Sequence, residues 1–476
     1  MFFKRRNFYI TTTLPYVNAE PHIGFALEII QADVIARYQK FLKEEVFFNT
    51  GVDEHGLKIY RKAQEINLDP KEYCDIFAQK FNDLKTSLNL SYNNFIRTTD
   101  DKHIKAAQEF WKLCEKNGDI YKKNYKTKYC FGCESEKTES ELKNGKCPLH
   151  PNLELEIIEE ENYFFRYSKY QEKLLNFYKN NPNFVIPKSR LNEINEFVKR
   201  GLDDFSISRL KEKMPWGVSV PNDEKHVMYV WFDALVNYIS CLGWPENKKQ
   251  FNNFWPGMQV AGKDNLRQQS SMWQAMLMSA KLPNSKQIFI HGFITANGQK
   301  MSKSLGNAIN PIDLTKKYGT DAVRYYLLRE ISSTEDGDFS YEKFEQRYNS
   351  DLAGGIGNLL SRTLGIAKKT NANKIKSTTK TKQKIIEANK NYKLALNEFK
   401  FNEALSIIWE LISYCDKYIN EEKLWETKNK KIIEDLFFAL QEISILLEPF
   451  LPETSQKIKS AIKSKKAENL FPRILE

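Results

Sequence analysis

Apolar residues near the start of the chain follow first the spacing of a strand and then that of a helix. Residues 7–13 (NFYITTT) are rich in aromatic and β-branched side chains, which predicts a strand that ends before Pro15. Between Leu27 and Phe41, apolar residues recur every three or four positions, which predicts an amphipathic helix. Residues 46–50 (VFFNT) predict a second strand. Strand, helix and strand in this order form a βαβ unit, so we expect a parallel sheet with ligands beyond the carboxyl ends of its strands.

Later segments extend this pattern and then replace it with helices. The apolar run 288–290 predicts a buried strand, and residues 258–261 and 266–278 predict a strand and a helix. From about residue 348 the spacing is helical almost throughout. The first of these helices carries an apolar stripe made of Leu352, Ile356, Leu359, Leu360 and Leu364. The lysine-rich segment 374–384 predicts a solvated loop. We therefore expect an α/β fold followed by an all-α bundle.

Composition and charge exclude several classes of protein. The 476 residues are 41% hydrophobic and 13% aromatic, which excludes a disordered chain and allows two to four domains. The sequence shows no apolar stretch near the ~20 residues of a membrane-spanning helix, and its first residues lead directly into the first predicted strand. We therefore expect a cytoplasmic protein without a membrane partner. The net charge of +11 favours a polyanion such as RNA, although a solvated lysine-rich surface is the alternative.

Three of the seven cysteines cluster with a histidine. Cys130-x2-Cys133 is followed, after thirteen residues, by Cys147-x2-His150. Two such knuckles supply the four ligands of a tetrahedral zinc ion, and a site with four protein ligands is structural because no position remains for a reactive water. Free thiols are the alternative. We expect the scattered cysteines to be buried thiols, namely Cys74, Cys114, Cys241 and Cys415.

The loop after residues 288–290 carries a candidate for phosphate chemistry. It reads KMSKS at 300–304, so Lys300 and Lys303 lie three residues apart with Ser302 between them. Preorganised cations stabilise the charge that develops on a triphosphate when one of its phosphorus atoms is attacked. For the two lysines alone, an ordinary solvated basic loop is an open alternative.

Two more candidates lie at the start of the first helix and at the end of the second strand. His22-x-Gly24 opens the helix, where free amides and the helix dipole attract phosphate. There Gly24 permits close backbone approach, and His22 can donate a charged hydrogen bond. Asp53 follows the second strand in the sequence DEHG, which suits it to hold an ammonium group. A turn with a helix cap is the alternative for Asp53.

The aromatic segment 227–238 (VMYVWFDALVNY) predicts either core or a pocket wall. In the second case, Trp231 and Tyr238 would line a pocket for an apolar side chain. In the helical region, Asn358 and Arg362 are four residues apart and share one face of a helix.

Together these strings resemble a known family. The His22-Ile23-Gly24 junction and the KMSKS loop are similar to the two signatures of class I aminoacyl-tRNA synthetases. The resemblance to methionyl-tRNA synthetases covers essentially the whole chain, through TLPYVNAEPHIG, TGVDEHG, VMYVWFDAL, AGKD, the cysteine knuckles, KMSKSLGNAINP, YGTDAVRYYLLRE and NSDLAGGIGNLLSR. It implies a class I Rossmann-type parallel sheet with an inserted zinc-knuckle connective domain, followed by an all-α anticodon-binding bundle.

The resemblance also implies an activity and a set of site residues. The activity is ATP-dependent conversion of L-methionine to methionyl-adenylate, with Mg2+, and transfer to the 3′-terminal adenosine of initiator and elongator methionine tRNA. The implied ligands of one structural Zn2+ are Cys130, Cys133, Cys147 and His150. The implied catalytic residues are His22, Lys300 and Lys303, and ATP binding also involves Gly24 and Ser302. The implied methionine-binding residues are Leu14, Tyr16, Asp53, Trp231, Ala234, Leu235, Tyr238 and Gln269. The implied anticodon-binding residues are Asn358, Arg362 and Trp425, with helix-packing core as the alternative for Trp425.

Three residues depart from the family pattern. Phe25 stands where the first signature has a second histidine, and a phenyl ring cannot donate to a phosphate. The loss of one such donor typically costs about 3 kcal/mol of transition-state stabilisation. Asn265 and Gln269 stand where the family usually has an apolar residue and a histidine. Gln269 can still donate a hydrogen bond near the methionine sulfur.

These observations predict five segments and one oligomeric state. The segments are the first half of the Rossmann catalytic domain (1–110), the connective insertion (111–214), the second Rossmann half with the KMSKS loop (215–310), a stem-contact region (311–347) and the α-helical anticodon-binding domain (348–476). Residues 470–474 resemble the end of the catalytic and anticodon-binding core, so we expect a monomer.

Two other functions stay open at the level of the sequence. A catalytically weak or silent paralogue would bind tRNA through the helical domain, and Phe25 favours it. An enzyme that adenylates a different amino acid is favoured by Asn265 and Gln269.

Overall fold

The strands predicted from the sequence are present in the fold. The computed structural model describes residues 7–133, 135–137, 141–301, 307–370, 375–466 and 469–474. In chain order its strands are β1 (Asn7–Thr12), β2 (Glu45–Val52), β3 (Asn94–Arg97), β4 (Ile120–Cys130), β5 (Ser135–Lys137), β6 (Glu156–Phe165), β7 (Val185–Ile186), β8 (Phe205–Ser206), β9 (Ser208–Leu210), β10 (Ser219–Val220), β11 (Asp223–Met228), β12 (Met258–Gly262), β13 (Gln287–His291), β14 (Ile294–Ala296), β15 (Gln299–Lys300) and β16 (Gly337–Phe339). The predictions at 7–13, 46–50, 258–261 and 288–290 are confirmed as β1, β2, β12 and β13.

Helices connect these strands and make up most of the chain after residue 311. In chain order they are α1 (Ile23–Phe41), α2 (Leu57–Glu65), α3 (Pro70–Asn82), α4 (Leu84–Ser87), α5 (Asp101–Lys116), α6 (Gln171–Asn180), α7 (Lys188–Lys199), α8 (Val230–Ala234), α9 (Asn237–Ser240), α10 (Lys248–Phe254), α11 (Trp273–Ser279), α12 (Pro311–Tyr318), α13 (Thr320–Arg329), α14 (Tyr341–Arg347), α15 (Asn358–Ala367), α16 (Thr379–Asn397), α17 (Phe401–Glu421), α18 (Leu424–Thr427), α19 (Lys430–Leu447) and α20 (Pro452–Ser464). Two π-helical stretches, Gln268–Met272 and Tyr348–Gly357, lead into α11 and α15.

The chain divides into two compact units that interleave along the sequence. The first unit comprises Met1–Glu20, Val46–Asn82 and Tyr92–Ile290. The second comprises Pro21–Glu45, Asp83–Ser91 and His291–Glu476.

A six-stranded sheet forms the centre of the first unit, in the order β3-β2-β1-β12-β13-β7. The pairs β2–β3, β1–β12 and β13–β7 run parallel, which confirms the predicted parallel Rossmann-type sheet. Strands that are distant in sequence, such as β1 and β12, become neighbours in this order. Antiparallel sheets β5-β4-β6-β8 and β10-β11-β9 accompany it.

The core of the first unit is strongly aromatic. Phe110 and Trp111 of α5 are fully buried, and both rings contact Phe232 of α8, with ring centroids 5.9 and 5.3 Å apart. Trp273 of α11 stacks on Phe110 at 5.5 Å. Much of the aromatic segment 227–238, which includes Phe232, therefore packs in the core. Core packing was one of the two possibilities predicted for this segment.

The first helix of the second unit differs from its prediction. Residues Ala26 to Ala36 of α1 are all buried, so the helix is not amphipathic over this stretch, and that prediction is wrong. The buried charge of Asp33 in this stretch is balanced by two arginines. Asp33 pairs with Arg37 at 2.7 Å and with the fully buried Arg324 at 2.8 Å. Burial alone would raise the pKa of Asp33, but the two guanidinium groups outweigh burial and lower it.

The helices of the second unit follow from their apolar spacing, and one of them begins inside the predicted loop. The apolar stripe predicted on the first of them is buried at Leu352, Ile356, Leu359, Leu360 and Leu364. The predicted loop at 374–384 is wrong in part, because α16 begins at Thr379. Its start is stabilised by Thr378, whose hydroxyl accepts from Thr381 N and donates to Asp435 at 2.9 Å. The lysines in its first turn obscured this cap in the sequence.

The scattered cysteines are free thiols, as predicted. Cys74, Cys114 and Cys415 are buried, whereas Cys241 is only partly buried. Burial raises the pKa of Cys114 to about 12, which makes its thiol unreactive at neutral pH. Among the described residues, no helix is both long enough and apolar enough to cross a membrane.

Candidate amino-acid and nucleotide sites

Asp53 lies directly after β2, where the sequence placed it. Its backbone N–H donates to Pro15 O at 2.9 Å, and its carbonyl accepts from Val17 N at 3.2 Å. These bonds hold Tyr16 beside Asp53 as an extension of the sheet. The Asp53 side chain is only 2% exposed, and its Oδ1 accepts from His55 N and Thr98 Oγ1, both at 3.3 Å. A buried carboxylate at a strand end is suited to bind a cationic group.

An aromatic wall stands beside this carboxylate in the same unit. The rings of Tyr16 and Trp231 meet edge to face, with centroids 6.4 Å apart. Both side chains and Leu14 are half-buried, whereas Ala234 and Leu235 are buried. The structure therefore brings Tyr16, Asp53 and Trp231 together, while Leu235 packs within the aromatic core. The half-buried rings leave apolar surface available to a ligand.

Gln269 and Tyr238 are joined by a direct hydrogen bond. Gln269 Nε2 donates to the Tyr238 hydroxyl at 2.6 Å, and Gln269 Oε1 accepts from Gln259 Nε2 at 3.0 Å. Gln259 Oε1 accepts in turn from Ser285 Oγ at 2.8 Å. Both glutamines are buried, and Gln269 sits in the π-helical stretch before α11. In this orientation the Gln269 amide donates to Tyr238 and accepts from Gln259, so both of its polar ends are hydrogen-bonded.

Asn265, the other departure from the family pattern, has a different setting. Its side chain is half-buried, and its amide nitrogen donates to Asp264 Oδ1 at 3.3 Å. Asn265 therefore makes a local polar contact with its chain neighbour.

His22 is the N-cap of α1 in the second unit. Gly24 N donates to His22 Nδ1 at 3.0 Å, so this nitrogen is an unprotonated acceptor and the ring is neutral. The prediction that His22 donates a charged hydrogen bond is therefore wrong, because only Nε2 remains as a neutral donor. A Cβ at position 24 would lie 2.7 Å from His22 Cε1, which explains the glycine. Phe25 is half-buried in the first turn.

A buried acid–imidazole pair that no sequence motif indicates involves Glu28, further along α1. His291 Nε2 and Glu28 Oε2 are 2.9 Å apart, while His291 Nδ1 donates to Gly292 O at 2.7 Å. A carbonyl oxygen only accepts, so His291 Nδ1 is the donor of that bond, and the imidazole faces the Glu28 carboxylate through Nε2. No local signal reveals this pair, because its members are 263 residues apart.

The KMSKS loop follows a short hairpin in the second unit. Asn297 and Gly298 turn with positive φ values of 51° and 74°, as a tight two-residue hairpin turn requires. Asp338 anchors this turn, because its Oδ1 accepts from Gly298 N at 2.7 Å and from Thr295 Oγ1 at 2.6 Å. The backbone of Lys300 ends β15. The Lys300 side chain, Ser302 and Lys303 lie outside the described residues.

The cysteine knuckles form one compact cluster. One ligand atom from each of Cys130, Cys133, Cys147 and His150 lies within 4.8 Å of the others. Cys133 Sγ is 3.5 Å from Cys147 Sγ and 3.2 Å from His150 Nδ1. A tetrahedron with metal–sulfur bonds of about 2.3 Å has edges of about 3.8 Å, so these residues fit a four-coordinate metal such as zinc.

The predicted anticodon residues are at or near the surface of the second unit. Asn358 is exposed, and Arg362 donates to Asn420 Oδ1 at 2.7 Å. Trp425 of α18 is 49% exposed, so the alternative that it packs in a helical core is wrong. An exposed indole is available to stack on an unpaired base.

Comparison with protein families defines the class of this chain. The family model described as "tRNA synthetases class I (M)" matches residues 8–153 and 132–364. The model described as "Anticodon-binding domain of tRNA ligase" matches residues 380–472. The parallel sheet, the cysteine cluster and the helical region therefore belong to a class I aminoacyl-tRNA synthetase.

Individual relatives narrow this class to one family. Methionine--tRNA ligase of Thermotoga maritima is 44% identical over 95% of this chain and 74% of its own length. The ligase of Rickettsia bellii is 41% identical over 98% of this chain and 94% of its own. The structure of Mycobacterium tuberculosis methionyl-tRNA synthetase in complex with methionyl-adenylate is similar with a TM-score of 0.90, at 33% identity over 99% of both chains. The chain belongs to the methionine–tRNA ligase family.

Proposed function

We propose that this chain activates L-methionine with ATP and transfers the methionyl group to the 3′-terminal adenosine of initiator and elongator methionine tRNA. The observation that carries the proposal is the buried Asp53 carboxylate beside the Tyr16 and Trp231 rings. This combination suits an amino acid with an ammonium group and an apolar side chain. The methionine–tRNA ligases among the relatives support the same choice of substrate.

In the activation step, the methionine carboxylate attacks the α-phosphorus of ATP, and pyrophosphate leaves. The protein supplies no covalent nucleophile, so its contribution is position and charge. Asp53 would hold the ammonium group, and Tyr16, Trp231 and Tyr238 would contact the side chain. The remaining proposed methionine-binding residues are Leu14, Ala234, Leu235 and Gln269.

For ATP we propose a different set of residues. His22 Nε2 would donate to phosphate at the start of α1, where the helix dipole attracts anions and Gly24, which has no side chain, allows the phosphate to approach the backbone closely. Lys300, Ser302 and Lys303 would bind the departing pyrophosphate. Mg2+ bound to ATP would neutralise part of the triphosphate charge.

We propose that the Cys130, Cys133, Cys147 and His150 cluster holds one Zn2+ as a structural ion. The ion would fix the knuckles on α2, where Arg61 lies over the Phe131 ring at 4.6 Å. For tRNA, we propose that Asn358, Arg362 and Trp425 read the anticodon, with polar groups for base edges and the indole for stacking. We also propose the five-segment division given by the sequence.

Methionine-dependent ATP–pyrophosphate exchange tests the enzyme function. We expect exchange by the purified protein, its loss in Lys303→Ala, and little change in the matched control Lys316→Ala, which removes an exposed lysine of α12. We expect Phe25→His to be faster, because the imidazole restores a donor at the helix start. Exchange with another amino acid but not with methionine would show that the enzyme activates a different amino acid. If the folded, metal-loaded protein shows no exchange with any amino acid, the enzyme function is refuted and a tRNA-binding paralogue is the remaining function.

A further inference from the structure

A fully buried aspartate in the first unit is held between two histidines. Asp233 Oδ2 lies 2.6 Å from His55 Nδ1, and Asp233 Oδ1 lies 2.8 Å from His103 Nε2. His103 Nδ1 is 2.9 Å from Ser240 Oγ. Asp233 and His103 are 0% exposed, and His55 is 5% exposed. We call Asp233, His55 and His103 the aspartate–histidine network.

The protonation of this network follows from its partners. Carboxylate oxygens only accept, so His55 Nδ1 and His103 Nε2 both carry protons. Ser240 Oγ can donate to His103 Nδ1, which leaves that ring neutral. Burial alone would raise the pKa of Asp233, but the two imidazoles outweigh burial and lower it to about 2. Asp233 is therefore a carboxylate at neutral pH, and its negative charge is held by two N–H donors.

The network lies between the two elements that carry the proposed methionine-binding residues. His55 is two residues after Asp53, and its backbone N–H donates to Asp53 Oδ1 at 3.3 Å. Asp233 lies in α8, between Trp231 and Ala234. The bond from His55 to Asp233 thus ties the Asp53 loop directly to the helix that carries Trp231.

The Asp53 loop is held on its other side as well. The His55 ring meets the Trp216 ring edge to face at 5.7 Å, and Gly56 N donates to Trp216 O at 3.2 Å. The His55 imidazole therefore contacts both the Trp216 ring and the Asp233 carboxylate, which restricts its position. His103 comes from a third element, α5, and fixes the second oxygen of the same carboxylate.

We propose that Asp233, His55 and His103 are positioning residues that set the distance between the Asp53 carboxylate and the Trp231 wall. This proposal rests on methionine being the amino acid that binds there. Loss of the His55 donor releases the Asp53 loop from α8, and loss of the His103 donor frees the Asp233 carboxylate that His55 binds, so both weaken methionine binding. We expect both losses to leave ATP binding unchanged, because the hydrogen bonds of the three network side chains run to one another and to Ser240.

The test compares variants that keep or remove each donor. Asn has its amide nitrogen at the position of His Nδ1, and Gln has one at the position of His Nε2. His55→Asn and His103→Gln therefore keep the donors, whereas His55→Leu and His103→Leu remove them. Asp233→Asn replaces one carboxylate oxygen by an amide N–H, which would face the N–H of a histidine and could not accept its hydrogen bond. The readouts are the Kd for methionine by calorimetry, the KM for ATP in pyrophosphate exchange, and Tm.

We expect the Leu variants and Asp233→Asn to raise the Kd for methionine about tenfold, with the KM for ATP within about twofold. The donor-keeping variants should stay within about threefold of the wild type. Tyr170→Phe is the matched control, because it also removes one donor from a buried aspartate, Asp119, at 2.5 Å. It should lower Tm and leave the Kd for methionine unchanged.

Two results would overturn the proposal. One is a wild-type Kd for methionine in folded Leu variants. The other is a rise of the methionine Kd and the ATP KM together, in proportion to the loss of Tm, as general destabilisation would give. If Asp233→Asn does not fold, the His55→Asn and His55→Leu pair decides between these outcomes. A wild-type protein that binds no methionine would instead remove the proposed function, and this inference with it.

Discussion

Replacement of Gln269 by leucine tests whether the buried glutamine chain supports selectivity as well as stability. The substitution keeps the approximate size of the side chain but removes both polar ends. Tyr238 loses the donor that lies 2.6 Å from its hydroxyl, and Gln259 loses an acceptor at 3.0 Å. Both groups are buried, so water does not readily replace the lost partner.

The expected loss of stability follows from these two bonds. Each neutral hydrogen bond contributes about 1 kcal/mol net, and a buried donor left without its acceptor costs about 1 kcal/mol more, so the sum is about 3 kcal/mol. For a unit of this size, that lowers Tm by about 6–12 °C. Tyr238 would also lose its fixed orientation, and we expect the ratio of kcat/KM for methionine over norleucine to fall about tenfold.

The assay is pyrophosphate exchange with methionine and with norleucine, beside a thermal melt. Gln274→Leu is the control, because Gln274 Nε2 donates to the backbone carbonyl Gln269 O at 2.8 Å and to Ser285 Oγ at 3.1 Å. It therefore removes buried hydrogen bonds but leaves those of the Gln269 side chain to Tyr238 and Gln259 in place. It should lower Tm without changing the ratio. An unchanged ratio of kcat/KM for methionine over norleucine in Gln269→Leu would show that the glutamine hydrogen bonds affect stability alone. An unchanged Tm would refute the expected loss of stability from these hydrogen bonds.

Four further predictions concern binding, stability and metal. Asp53→Asn should raise the KM for methionine about 10–100-fold in pyrophosphate exchange, because a neutral amide holds an ammonium group weakly, and an equal rise for ATP would contradict this. Arg324→Met should cost about 3 kcal/mol in urea unfolding, since Asp33 keeps Arg37 as its one charged partner beside the Ser91 N–H, and three backbone carbonyls lose a donor; a cost below about 1 kcal/mol would refute it. The pKa of Asp233 is about 2 in the folded protein against an ordinary 3.8. The ionised carboxylate therefore adds about 2 kcal/mol to the free energy of unfolding, and this contribution is complete above pH ~4 and is lost as the pH falls towards 2. When unfolding is measured at several pH values, the free energy of unfolding should fall less steeply at acid pH for Asp233→Asn than for the wild type. Removal of metal with a chelator should lower Tm and Cys133→Ser should remove that response, whereas a Tm insensitive to chelation would argue against a structural ion.

Several features of the site could be predicted because they are local in the sequence. Asp53 follows an apolar run, and such a run already defines a strand and its end. The four metal-binding candidates were found from spacing alone, since two knuckles need only short turns to point their ligands at one centre. The helix start at His22 was also predicted, but the charge expected on its ring was wrong. That charge depends on the bond from Gly24, which only the folded backbone shows.

The sequence by itself determined the elements, their order and the family to which they belong, because periodicity and short motifs depend on neighbouring residues. The tertiary structure decided which buried charges are compatible with the fold. Asp233 meets His55 and His103 across 178 and 130 residues of chain, and Glu28 meets His291 across 263. A polar residue in a helical pattern predicts a solvent-facing position. Only a distant partner that replaces water makes its burial stable, and no local pattern encodes that partner.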